Sequence, residues 1–147
     1  MFKHLLIPID GSELSLMAVR KGAEFASEIG ASITLLFVRP EYPVSYYGDG
    51  AMIDPTTPEE FSQLTQKIAE RNLKAAADIC TSAGVTFTTC AETSDIPYEV
   101  IISTADQKHC DLIFMASHGR RGITGLLLGS ETQKVLTHSK IPVLVYR

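Results

Sequence analysis

The sequence predicts an α/β domain in three layers, with a parallel β-sheet covered by helices on both faces. Five short runs rich in strand formers alternate with four segments of helical period, in the order β-α-β-α-β-α-β-α-β, which calls for parallel strands joined by crossover helices. Several of these runs are apolar on both faces, as strands buried between two helical layers must be. Serine and threonine caps, prolines and glycines fall at the seams between them.

Taken in order, Leu5-Leu6-Ile7-Pro8-Ile9 is the first strand. Pro8 lacks a ladder donor and so belongs near the strand's C-terminal end. Asp10-Gly11 turns the chain, and Ser12 followed by Glu13 caps a helix. Leu14, Met17, Ala18, Phe25 and Ile29 fall on one face of that helix, which Gly30 ends. Ser32 to Val38 is the second strand. From Arg39 to Thr56 three prolines, two glycines and three tyrosines leave no period, so a long loop is expected, a functional lid or a mobile connection. Thr57-Pro58-Glu59-Glu60 is a capping box with proline at the first helical position. Phe61, Leu64, Ile68, Leu73, Ala76, Cys80 and Ala83 then form the core face of a long helix stopped at Gly84. Val85 to Cys90 is a threonine-rich strand suited to a sheet edge. Pro97 opens a helix through Val100, Ile101 and Ala105; Asp111 to Ala116 is the fourth strand. Ser130 to His138 is the last helix, started by a Ser130–Gln133 capping box, and Pro142 to Tyr146 is the fifth strand.

The totals exclude several functions. The 147 residues make one domain, 1–147, long enough to bury a core. A formal net charge of -4 speaks against a general nucleic-acid binder. No apolar run approaches a membrane span. The chain enters its first strand without the apolar region of a secretory signal. Its three cysteines, Cys80, Cys90 and Cys110, form no CxxC pair, as expected of reduced thiols. Cys80 and Cys90 read as small core residues and Cys110 as partly exposed. A soluble cytoplasmic protein is the expectation.

The chemistry concentrates where the fourth strand empties into glycines: Phe114 to Thr132, FMASHGRRGITGLLLGSET. A buried strand leading through a glycine-rich loop to a helix start is an anion site, because backbone N–H groups and the helix dipole meet there. Gly125 and Gly129 enclose three residues, not the four of a Walker A loop, and no lysine precedes Ser130. Only Gly11 follows the first strand, so no dinucleotide fingerprint is present. GxSxG is absent. Ser117 and His118, adjacent at a strand end, are expected to point to opposite sides and not to act as nucleophile and base. The histidines have no metal-ligand spacing.

Gly119, nine intervening residues and then Gly129-Ser130 resemble the G-x2-G-x9-G-[S/T] signature of the universal stress protein family, in its ATP-binding branch. LIPIDGS at the start, DLIFMASHG, LLLGS and the terminal PVLVYR extend the resemblance over the chain. It implies a five-stranded parallel sheet in order 3-2-1-4-5, Rossmann-like and similar to adenine nucleotide alpha hydrolases. It also implies an adenine nucleotide (ATP, ADP or AMP, with Mg2+) and a homodimer through the C-terminal strand. By position, Asp10 and the backbone of Val38 would flank adenine and ribose, with Pro8 and Ile9 beside them. Met115 and Ala116 would pass along the nucleotide, and Gly119, Gly129, Ser130 and Thr132 would approach ribose and phosphates. Arg120 and Arg121 read either as a grip on the terminal phosphates, or an offset to Glu131, or as a solvated loop tip. His118 is read as a structural loop residue, with phosphate contact as its alternative.

Two residues depart from the pattern. Ala116 stands at the signature's first glycine, and Glu131 stands where relatives carry an apolar side chain. Glu131 suits the helix dipole but would repel a phosphate if turned inward. The implied function is nucleotide-dependent regulation under stress. A nucleotide-free interaction module of the same fold and a slow ATPase are the alternatives. Efficient turnover is not expected, since neither a positioned general base nor a second acidic metal ligand accompanies Asp10.

Overall fold

The computed structural model describes residues 1–47, 50–53, 56–119 and 128–147. Its elements are β1 (His4–Ile9), α1 (Glu13–Ile29), β2 (Ser32–Arg39), β3 (Val44–Tyr47), β4 (Gly50–Ile53), α2 (Pro58–Ser82), β5 (Phe87–Thr93), α3 (Pro97–Gln107), β6 (Leu112–Ala116), α4 (Ser130–His138) and β7 (Val143–Tyr146). Five strands form one parallel sheet in the order β5-β2-β1-β6-β7. Counting only those five, this is the expected 3-2-1-4-5. The mainly apolar strands β1, β2 and β6 lie inside, while β5, rich in threonine and largely exposed, takes an edge.

One part of the chain departs from expectation. Val44–Tyr47 and Gly50–Ile53 pair antiparallel as a separate two-stranded hairpin, within what the sequence presents as a loop. Prolines and glycines mask strands of only four residues from any test of period. At the hairpin's neck, the Tyr42 hydroxyl donates to Thr56 O at 2.6 Å, and its ring meets Phe61 edge-on at 5.5 Å.

Helices α1 and α2 cover one face of the sheet, over a core that includes Leu5, Ile7, Leu35 and Phe114. The other face, with Leu6, Leu36, Ile113 and Met115, is covered by Ile101 and Ala105 of α3 and Val135 of α4. The buried face of α1 is made of small residues, Ser15, Ala18, Val19, Gly22, Ala23 and Ala26. A Cβ on Gly22 would lie 2.5 Å from Ile7 Cδ1, so the helix rests almost directly on β1. Met17 and Ile29, expected on the core face, are exposed for that reason: close approach selects small side chains, and the large apolar ones fall outside. Likewise on α2, Leu64 is exposed and Thr65 is buried.

The caps behave as their chemistry requires. Ser12 accepts from Ser15 N–H, and Gly30 closes α1 at φ 69. Thr57 and Glu60 form the reciprocal capping box of α2. The last helix differs: its N-cap is Gly129, without a side-chain hydrogen bond, and Ser130 is the first helical residue. The expected capping box at Ser130 is therefore absent. Gln133 turns back to Leu128 O instead. Cys80 and Cys110 are buried and Cys90 is half-buried, so Cys110 is less exposed than its place before a strand implies. Burial pushes the thiols of Cys80 and Cys110 up to about 11, which leaves them protonated and inert at neutral pH.

Candidate functional site

The site begins with a missing hydrogen bond. His4 N–H donates to the Asp111 carboxylate and His4 O accepts from Asp111 N–H, so the even-numbered residues of β1 address β6. Pro8 belongs to that set and has no N–H to offer. Pairing between β1 and β6 is confined to Leu5–Leu112 and Leu6–Ile113, whereas β1 and β2 stay paired to Ile9–Phe37. Past Leu6 the two central strands separate, and their carboxyl ends border a crevice. This is the switch point of the sheet, where the chain order reverses and ligands of open α/β sheets bind.

Three pieces of chain meet there. Asp10 follows β1, and its Oδ1 accepts Ser12 N–H at 3.0 Å in an Asx turn. Gly11 makes the turn at φ 81, where a Cβ would also come within 2.7 Å of Asn72 Oδ1 on α2. From the far side, Gly119 approaches so closely that a Cβ would lie 2.5 Å from Asp10 Oδ2. Gly129 donates its N–H to Ser117 O at 2.7 Å, and a Cβ on it would be 3.3 Å from both Ser117 O and His118 Cα. Ala116 O, on the β1 side of β6, receives the Thr132 hydroxyl at 3.0 Å. Helix α4 is thus docked on the end of β6, and its first turn carries no side-chain cap, which leaves N–H groups for an anion.

Beside Asp10, between the end of β2 and α2, is a cleft of about 170 Å³ lined by Asp10, Phe37, Val38, Pro40, Thr65 and Ile68. Its walls are mainly apolar, with the carboxylate at one side. Such a cleft suits a flat heterocycle with a polar substituent near Asp10.

The predicted residues divide between these features. Asp10 and Val38 line the cleft, while Gly119, Gly129 and Ser130 lie at or beside the meeting of β6 with α4. Ile9 and Met115 are buried core residues on opposite faces of the sheet, and Pro8 acts through the donor it lacks. Ala116 is buried and not at positive φ, so alanine fits the signature's first glycine position without backbone strain. Thr132 spends its hydroxyl on Ala116 O and is buried.

Glu131 turns away from the crevice. Its Oε2 accepts Tyr98 N–H at 2.9 Å and its Oε1 meets Lys134 Nζ at 3.2 Å. It serves as the acceptor for the first turn of α3, whose own N-cap, Ile96, has none. Arg120 and Arg121 lie outside the described residues. Ser117 and His118 do meet, Oγ to Nδ1 at 2.9 Å, contrary to the expectation of opposite sides, because the chain has already left the strand at Ser117. Ser117 is buried, so the pair holds the loop in shape and does not present a nucleophile. His118 Nε2 is buried without a hydrogen-bond partner among the described residues.

Phe37, Pro40, Thr65 and Ile68 are the lining residues that sequence reasoning missed. The first two flank Val38, a signal within reach. Thr65 and Ile68 come from a helix read only for its apolar stripe, and nothing local says which turn of α2 overhangs β2.

The universal stress protein family model matches residues 1–147. The Thermus aquaticus universal stress protein in the QAH/OAS sulfhydrylase 3' region is 31% identical over 147 residues, 100% of each chain. Universal stress protein MJ0577 of Methanocaldococcus jannaschii is 28% identical over 159 residues, spanning 100% of this chain and 96% of that one. The solved structure of MJ0577 superposes with a TM-score of 0.76 at 27% identity, over 99% of this chain and 95% of that one. A universal stress protein crystallised in complex with cAMP has the same fold, with a TM-score of 0.71 at 22% identity over 99% and 97% of the two chains. The family match from end to end, on a sheet of the order that the signature implies, establishes that this chain belongs to the universal stress protein family.

Proposed function

We propose that the protein is an adenine-nucleotide-binding regulator of the stress response, with ATP as its ligand and ADP or AMP as alternatives. The observation that carries this is the convergence of Asp10, Gly119 and the uncapped start of α4 at Gly129 beside an apolar cleft. The base fits the cleft between Val38 and Ile68, and Asp10 accepts from ribose hydroxyls or the adenine edge. Phosphates reach the N–H groups at Ser130 and Glu131, while that of Gly129 holds Ser117 O. Glu131 raises no barrier to them, since its carboxylate is engaged with Tyr98 and Lys134. The complex with cAMP of a protein with the same fold supports an adenine nucleotide here.

Among the described residues no cluster of three acidic, histidine or cysteine side chains could cage a metal. Mg2+ would therefore enter on the phosphates, held by their oxygens and water. In this reading occupancy, and not turnover, is the signal. Binding changes the protein's conformation or partners in the cytoplasm, and the protein acts as a homodimer.

Mass spectrometry of small molecules released by denaturing freshly purified protein tests this reading. An adenine nucleotide is expected. ATP with Mg2+ near a hundred times its Kd should raise the melting temperature by about 5–10 °C. No carried nucleotide and no shift with ATP, ADP or AMP would establish the nucleotide-free module instead. Turnover lost in a folded Asp10→Ala variant would establish the ATPase.

A further inference from the structure

We propose that Arg39 is a positioning residue for the base, acting through Thr65 to set the wall of the cleft. The proposal rests on the nucleotide reading above and assigns a role to a side chain that does not itself line the cleft. Arg39 ends β2, and its side chain crosses to α2. Its Nη2 donates to Ser62 O at 2.8 Å and to Thr65 Oγ1 at 3.0 Å, and Nε donates to the same Oγ1 at 3.3 Å. A further contact joins Nη2 to Ser62 Oγ at 3.3 Å. These are charge-assisted bonds from a planar fork, a geometry that lysine cannot copy. Among the described residues Arg39 enters no ion pair, so its charge is committed to neutral oxygens of one helical turn.

The consequence for the cleft follows from what Arg39 joins. Its chain neighbours Val38 and Pro40 form one wall, and Thr65, which it grips, forms part of the other. Its own carbonyl accepts Ser94 N–H at 2.9 Å, which ties the end of β2 to the chain beyond β5. This one side chain therefore ties the two walls of the slot between β2 and α2 to each other. The slot's chemistry is held as well. The Thr65 hydroxyl donates its hydrogen to Ser62 O at 3.2 Å and accepts from Arg39, so it has no hydrogen to offer a ligand. With Thr65 spent in this way, a bound base meets a wall that reads it by shape, and polar recognition falls to Asp10 and the backbone.

Calorimetric titration with AMP and with adenosine tests the role. Adenosine fills the base and ribose positions, and the ratio of its Kd to that of AMP measures the phosphate alone. In Arg39→Met, folded by circular dichroism, both ligands should bind about tenfold more weakly with their ratio unchanged within about twofold. Arg39→Lys should not restore affinity. Thr65→Val should show the same loss, and the double variant should be no worse than Arg39→Met, because the two residues form one unit. Unchanged AMP affinity in Arg39→Met overturns the proposal. So does a changed ratio, which would mean that the phosphate side or the whole fold had moved. Wild-type protein that binds AMP but not adenosine overturns it too, since the base cleft would then supply no affinity. Wild-type protein that binds neither removes the nucleotide reading itself.

Discussion

Gly119 carries a hydrogen where any other residue would place a carbon 2.5 Å from Asp10 Oδ2. The obstructing atom is the end of a flexible carboxylate, so Gly119→Ala should fold, with a melting temperature within about 3 °C of wild type. The displaced Asp10 should weaken adenine nucleotide binding by about tenfold, measured by calorimetry. Gly11→Ala is the contrasting case. There φ is 81 and Asn72 closes the remaining space, so the loss should appear as stability, about 1–2 kcal/mol by urea unfolding. An equal loss of stability in both variants would show that Gly119 serves the fold and not the site. Glu131 carries a related lesson at this scale. Its letter alone allows a carboxylate facing phosphate or facing away, and only the nearby start of α3 selects the second.

At the scale of elements, Asp111 shows how a strand is started. Its carboxylate accepts from Lys3 N–H at 2.9 and 3.1 Å and from His4 N–H at 3.0 Å, joining the entry of β1 to that of β6. Burial alone pushes its pKa upward. The N–H groups of His4 and Lys3 act the other way, and the net value lies below the ordinary carboxylate range. A carboxyl depressed in the folded state stabilises the fold above its unfolded pKa. That contribution is lost as pH falls through the folded value. Asp111→Asn should therefore be less stable than wild type at pH 7, and the gap should narrow from about pH 5 to about pH 3. Urea unfolding across that range checks it; a gap that widened toward acid would refute it.

The elements also mark where patterns in the sequence stop being informative. The capping box at Thr57 and the αL stop at Gly30 are local chemistry, and both are legible. The pairing of β3 with β4 is not, since these strands are too short to show alternation. The core face of α1 departs from periodicity at Met17 and Ile29, because periodicity finds apolar residues while close packing on Ile7 selects small ones.

At the scale of the whole molecule, the five-stranded sheet has two edges of different character. The β5 edge is threonine-rich and largely exposed, while β7 presents Val143, Leu144, Val145 and Tyr146, all half-buried. An apolar edge strand with free backbone groups is a pairing surface. We expect sedimentation equilibrium to report twice the chain mass of 16.0 kDa. Val145→Lys should return the protein to a monomer without loss of secondary structure, because a charge on this strand opposes its symmetry mate. A wild-type monomer at micromolar concentration would exclude the dimer.

The sequence by itself determined the layer architecture, the succession of five parallel strands, most caps and the stretch from Phe114 to Thr132 as the place of interest. All of these depend on residues near one another in the chain, where propensity, period and cap chemistry act directly. Tertiary structure decided which side chains meet across the crevice. It put Gly119 against Asp10, Thr65 and Ile68 over the end of β2, Arg39 onto Thr65, and Glu131 onto Tyr98. Those pairs lie 26 to 109 residues apart, and no local preference encodes them. They follow from the way the helices seat on a twisted sheet, which depends on the packing of the whole core.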